Sequence, residues 1–228
     1  MRIIRALLAS LLALLFSAMA FGQSPAVEKT NEGIVVRIGD SFLKLEVCSA
    51  EVIRVAFARD RAFFTRQSLV ASPRRCEPTQ WNVTNSAREA ILRTPKLKIK
   101  VDLTTGALGF FDQTDQPIVT EKQNGRTLTP VEVQGEKTFQ VRQVWQANSD
   151  EALYGLGQHQ FGLMDIKGYD LDLWQRNTVV AVPFLVSSHG YGILWDNTSW
   201  TRFGDLRDFE FIPSQNLFDA SGRLGGLS

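Results

Sequence analysis

The sequence predicts an all-β protein built as an antiparallel β-sandwich, and three observations carry that prediction. Short apolar runs alternate with polar positions at a period of two. Glycine, proline and asparagine punctuate them at the spacing of turns. No window sustains the 3.6-residue period of an amphipathic helix. About 200 residues follow the amino-terminal leader, enough for one sandwich with a real core. There is no internal repeat and no low-complexity tract.

The leader comes first. Arg2 and Arg5, an apolar core from Ala6 to Phe16 and the small-x-small triplet Ala18-Met19-Ala20 make residues 1–20 a secretory signal peptide cleaved near Ala20. The run is short for a bilayer span and no second one follows, so no stable membrane insertion is expected, an uncleaved anchor being the alternative. A secreted or periplasmic location follows, and residues 21–32 read as a flexible lead-in. Loss of the leader removes two arginines and no acids, leaving 23 basic against 24 acidic residues. So even a balance gives no footing for phosphate-backbone binding, and no nucleic-acid partner is expected.

The strands then come in order. Ile34–Ile38, Phe42–Val47 and Val52–Phe57 are three runs joined by short turns. A more polar passage with Pro73 and Pro78 leads to Glu89–Arg93 and Leu97–Leu103. The lysines at 96, 98 and 100 alternate with Leu97, Ile99 and Val101 and read as the wet face of a strand. Ala107–Phe111 follows the turn at Thr104-Thr105-Gly106, and residues 112–117 form another turn. Val131–Gln134 and Phe139–Trp145 make a hairpin across Gly135-Glu136. Tyr169, Leu171 and Leu173 alternate with Asp170, Asp172 and Trp174, which puts the two aspartates on one face. Ala181–Ser187 and Gly190–Asp196 pair across Ser188-His189, both largely buried. Trp195, Trp200 and Phe203 read as core or interface side chains.

The candidate chemistry is sparse. Cys48 and Cys76 both follow the leader, where thiols are oxidised, and a disulfide between them is favoured over two free thiols. It would close a loop worth about 3.6 kcal/mol in the chain-entropy model. Two cysteines without nearby histidines fall short of a zinc site, and His159 and His189 are too few for a histidine cluster, so no metal and no cofactor are expected. Gly155-x-Gly157 lacks the third glycine and the helix of a dinucleotide fingerprint. Asp170 and Asp172 read as solvated or turn-bound carboxylates, so no catalytic residue is assigned. The polar tip Gln175-Arg176-Asn177-Thr178 lies between two strands, where a β scaffold carries ligand contacts.

Four segments in one order carry a family likeness. They are Tyr154-Gly155-Leu156-Gly157, then Trp174-Gln175-Arg176-Asn177, then Val182-Pro183-Phe184, then Gly190-Tyr191-Gly192-Ile193-Leu194-Trp195-Asp196-Asn197. Together they resemble the amino-terminal domain of glycoside hydrolase family 31, the α-glucosidases and α-xylosidases. Gln158 and the Ala181–Ser188 wording are closer to the xylosidase branch. The resemblance implies a β-sandwich of the galactose-mutarotase-like type over residues 33–213, and a secreted enzyme of carbohydrate metabolism whose two catalytic aspartates belong to a (β/α)8 barrel outside these residues. That barrel, in the same polypeptide, and a glycan substrate are the implied partners. It also implies that Trp174, Gln175, Arg176 and Asn177 bind substrate by shaping one wall of the sugar pocket. Asn177 stands near where an acidic residue is common and the tip is short; the alternative is a core Trp174 beside a solvated turn. Residues 214–228, rich in glycine, resemble the truncated start of an inserted carbohydrate-binding domain. A stand-alone secreted carbohydrate-binding module is the other reading. Aldose mutarotase activity is disfavoured, because it needs a histidine acid and a carboxylate base converging in one cleft.

Overall fold

The computed structural model describes residues 27–70, 76–77, 79–160 and 162–204. The expected signal peptide and the glycine-rich segment 214–228 lie outside them. The chain divides into two compact units, residues 1–67 with 73–147, and residues 68–72 with 148–228. Each unit has a core of its own. Among the described residues no helix is long and apolar enough to cross a membrane.

The first unit is an antiparallel sandwich. Strands β1 (Val27–Lys29), β2 (Gly33–Ile38), β3 (Ser41–Val47) and β4 (Ile53–Ala58) form one sheet in chain order. Strands β5 (Asn82–Asn85), β6 (Glu89–Arg93), β7 (Lys98–Asp102), β8 (Leu108–Phe111) and β9 (Pro117–Thr120) form a second, also in chain order. Period-2 alternation decides which side chains meet: Leu43 and Leu45 of β3 are buried while Lys44 and Glu46 face away. Ile34, Val36, Leu43 and Leu45 from the first sheet share one core with Ala90, Leu92, Ile99, Val101 and Leu108 from the second. Burial of each such leucine or isoleucine contributes about 1.5–3 kcal/mol.

Several expectations are corrected here. Residues 27–29, placed in a flexible lead-in, pair with β2 because Val27 has the first core to pack against. Residues 112–117 end in strand, since Pro117 opens β9 beside a bulge at Phe110 and Phe111. The hairpin of β10 (Thr127–Val133) and β11 (Glu136–Arg142) turns one residue earlier than expected, at Gln134-Gly135. Both turn residues have positive φ, 51° and 86°, the requirement of a type I′ turn. The lysine row is not uniformly wet: Lys98 is buried against the carboxylate of Asp115 at 2.6 Å, and Lys100 reaches the same carboxylate at 3.3 Å. A short 3₁₀ turn (Arg61–Thr65), capped by Asp60, is the one helical element among the described residues.

Where β9 ends, this unit buries an ion pair. Glu121 is 3% exposed and meets the Arg126 guanidinium at 2.5 Å. Gln143 Nε2 and Leu108 N also donate to its carboxylate, at 2.5 and 2.9 Å. Three donor groups on one buried carboxylate satisfy the rule that a charge removed from water be paired and hydrogen-bonded.

The second unit has two small antiparallel sheets. Strands β12 (Leu153–Gln158), β14 (Val180–Ser187) and β15 (Gly192–Leu194) form one, and β13 (Leu171–Leu173) and β16 (Thr201–Phe203) the other. Leu156, Ile166, Leu171, Leu173 and Leu185 form the core, joined by Trp195 and Phe203, which meet edge to face at 6.2 Å. β14 is not largely buried, as its apolar sequence suggested. Val180, Val182, Phe184 and Val186 alternate along one face at 39–46% exposure, with Leu194 of β15 beside them at 48%. Trp200 is also exposed, so of the two places expected for it the core is ruled out.

Candidate functional site

The site is built on an irregularity in β12. The segment Gly155-Leu156-Gly157 has φ of 98°, 61° and 104°, and its register against β14 shifts between Gly155 and Gly157. The shift leaves β14 with the surplus residues opposite this segment, a bulge-type irregularity that bends the pair and re-aims the residues beyond it. Glycine is required by space as well as by φ: a Cβ on Gly157 would fall 1.9 Å from the carbonyl oxygen of Val180. Between the paired positions of Gly155 and Gly157, β12 has one residue, Leu156, and β14 has three, so the extra residues lie on β14, while Leu156 turns fully into the core. His159 comes two residues after the bulge, and its Nε2–H donates to Leu156 O at 3.1 Å, so the bulge fixes the imidazole as well as the strand.

β13 supplies the acidic side. Its burial pattern places Leu171 and Leu173 in the core and Asp172 on the opposite face. Asp172 faces Arg202 of β16 at 3.3 Å, directly across the ladder. From β13 the chain turns back to β14 through a two-residue turn. Arg176 N donates to Val179 O at 3.2 Å and Val179 N to Arg176 O at 3.1 Å, leaving Asn177 and Thr178 at the apex. Gln175 Oε1 accepts from Ala181 N at 3.0 Å and ties the turn to β14.

Between these pieces lies a cleft of about 270 Å³, lined by His159, Gln160, Asp170, Asp172, Arg176 and Thr178, with Leu171 and Val179 as its apolar contribution. Of the four residues expected to bind substrate, only Arg176 lines it. Trp174 is exposed at 59%, with its ring open to solvent rather than packed in the core. Gln175 is held by backbone, and Asn177 sits at the turn apex. The two aspartates share the cleft, as their shared face implied, although Asp170 lies outside the strand. Thr178 belongs to the polar tip that the sequence marks for ligand contacts, whereas His159 and Gln160 were not assigned from sequence; the glycine pair ending two residues before His159 is the signal that points to it. The cleft combines a cation, two carboxylates, an imidazole and a hydroxyl, donors and acceptors suited to polyhydroxylated ligands.

A second polar cluster in this unit braces β14. Glu151 is 7% exposed and accepts from Ser187 Oγ and from Tyr191 OH, both at 2.5 Å. Burial, and then the bond to the Glu151 carboxylate, push the Tyr191 phenol well above the ordinary tyrosine range, so it serves as a fixed donor. In the first unit, Cys48 Sγ and Cys76 Sγ lie within 4.8 Å of one another and of a Glu46 carboxylate oxygen.

Comparison with known proteins gives these units their relatives. The family model described as the glycosyl hydrolase 31 N-terminal galactose mutarotase-like domain matches residues 42–204. An α-xylosidase of Saccharolobus solfataricus is 29% identical over 206 residues, covering 81% of this chain and 28% of that protein. An uncharacterized family 31 glucosidase of Pseudescherichia vulneris is 27% identical over 195 residues, covering 76% of this chain and 36% of its own length. Among solved structures, the α-xylosidase of Xanthomonas citri superposes with a TM-score of 0.73 at 37% identity, covering 87% of this chain and 22% of that one. The chain therefore spans about a third of the length of these two curated relatives.

Proposed function

Given that this chain belongs to glycoside hydrolase family 31 through its amino-terminal galactose mutarotase-like domain, we propose that it is the sugar-contacting amino-terminal part of an exported α-xylosidase. In this reading the catalytic carboxylates belong to a further part of the same polypeptide, and this domain contributes one wall of the pocket. The supporting observation is the turn that presents Arg176 to a cleft shared with Asp170, Asp172 and His159, with the exposed Trp174 two residues before Arg176 in the chain. Arg176 donates to sugar hydroxyls and the indole stacks on a sugar face. The exposed stripe of Val180, Val182, Phe184 and Val186 docks on the catalytic part. Exposed apolar faces of that kind mark surfaces covered by a partner. Export follows from the leader, Arg2 to Ala20.

The test is kinetic and uses the whole polypeptide that carries this domain. Arg176→Ala and Trp174→Ala raise KM for α-xylosides by roughly 10-fold each, the loss of a charge-assisted hydrogen bond or a stacking contact, while kcat stays within about twofold. Unchanged KM in both variants removes the pocket-wall reading. Hydrolysis of α-glucosides in strong preference to α-xylosides removes the xylosidase assignment and leaves the wall in place.

A further inference from the structure

We propose that Cys48 and Cys76 form a disulfide that fastens the chain entering β5 to the end of β3. Cys48 is buried and comes directly after β3, whose last residues are held on both sides: Val47 N donates to Glu32 O at 2.7 Å and Cys48 N to Val52 O at 2.9 Å. Its position is therefore set by the sheet. Cys76 lies on the stretch between the 3₁₀ turn and β5, outside any strand, with its side chain exposed. About 28 residues separate the two in sequence, yet their sulfurs lie within 4.8 Å. A disulfide needs about 2.05 Å between sulfurs. Cys76 is the exposed one of the two, so the movement that brings the sulfurs together falls to its side chain.

The third group of the cluster argues for the bond and against a bound metal. Glu46 and Cys48 are two apart, one at the end of β3 and one just past it, which brings the carboxylate beside the sulfurs. That carboxylate is already shared between Lys44 Nζ and Arg54 Nη1, each at 3.4 Å. Two thiols and an engaged carboxylate do not complete the four ligands of a closed structural zinc site. Two adjacent thiols do complete a disulfide.

Formation proceeds by exchange with an oxidised disulfide donor, either a thiol–disulfide oxidoreductase or oxidised glutathione. One thiolate of the pair attacks a donor sulfur, breaks the donor S–S bond and forms a mixed disulfide, releasing one donor thiolate. The second thiolate attacks the chain sulfur of that mixed disulfide and expels the other donor thiolate. The chain loses two electrons and two protons, and the donor gains both as two thiols.

The experiment equilibrates the full chain in oxidised and in reduced glutathione and alkylates it under denaturing conditions. The buffer sets the redox state whatever compartment the chain enters, so the outcome is independent of whether export or sugar contact proves correct. The oxidised chain takes up no alkyl group before reduction and two after it. A tryptic digest then shows Leu45–Arg54 linked to Cys76–Arg88. The oxidised chain melts about 7–14 °C above the reduced one, and Cys76→Ser, a change at an exposed position, melts with the reduced form under both conditions. Alkylation of both thiols after full equilibration in oxidised glutathione overturns the proposal. So does tight binding of cobalt with a thiolate charge-transfer band that protects both cysteines from oxidation.

Discussion

Replacing Gly157 by alanine tests whether the bulged pairing of β12 with β14 is held by backbone geometry. The added Cβ meets Val180 O at 1.9 Å, Val180 C at 2.9 Å and Val182 N at 2.9 Å, all backbone atoms of β14 that cannot swing aside. The φ of 104° adds strain that an L-residue does not relieve. Strain of about 1–3 kcal/mol and overpacking of about 1–3 kcal/mol combine to roughly 2–5 kcal/mol after partial relaxation. Gly162→Ala is the control, because its φ is also positive, at 64°, yet nothing lies within 4 Å of the new atom. It costs about 1–2 kcal/mol. Native-state hydrogen exchange of the β12 and β14 amides reads this unit alone, and Gly157→Ala lowers their protection by roughly 30- to 5,000-fold, a range set by those energies. Because His159 Nε2 bonds Leu156 O within the same bulge, its imidazole resonances shift in Gly157→Ala and not in the control. Equal protection in the two variants, with His159 unmoved, would falsify the bulge argument.

Three further outcomes are expected. Glu121→Gln leaves the Arg126 guanidinium, only 8% exposed, without its countercharge and destabilises the first unit by about 3–5 kcal/mol; a urea midpoint within error of the parent refutes this. The bond from Lys98, then that from Lys100, hold the Asp115 carboxyl below its ordinary 3.8. Its folded value is thus depressed, and its contribution to stability is present above about pH 3.8 and fades as pH falls through the lowered value. Lys98→Met raises the Asp115 value in a carboxyl-carbon titration, and an unmoved titration refutes the assignment. The isolated chain binds a hydrophobic dye through its β14 face, and Val182→Lys with Phe184→Lys abolishes most of that signal; a parent that binds no dye removes the face as a docking surface.

How far the fold and the cleft could be read from residues depends on the range of the interactions involved. The β2, β3 and β4 runs were legible because each pairs with its neighbour in sequence, and alternation such as Leu43-Lys44-Leu45 names the buried face directly. β5 and β9 were missed because Asn82–Asn85 and Pro117–Thr120 are polar or proline-led and owe their strand state to neighbours already in the sheet. The glycine pattern at Tyr154–Gly157 was visible as a family mark, but its cause was not. Only the approach of Val180 O, 23 residues away, shows why a side chain is forbidden at Gly157. The cleft depends on pairing of still longer range, since Asp172 meets Arg202 through a ladder whose strands lie about 30 residues apart, with β14 and β15 between them. Alternation could place Asp172 on a face but could not say what stood opposite. A short turn such as Arg176–Val179, by contrast, is fixed by its own two hydrogen bonds. The polar tip was therefore recognisable as a presenting element before its cleft-facing neighbours were, and it is Arg176, whose turn is local, that links the residues legible in sequence to those that only the fold assembles.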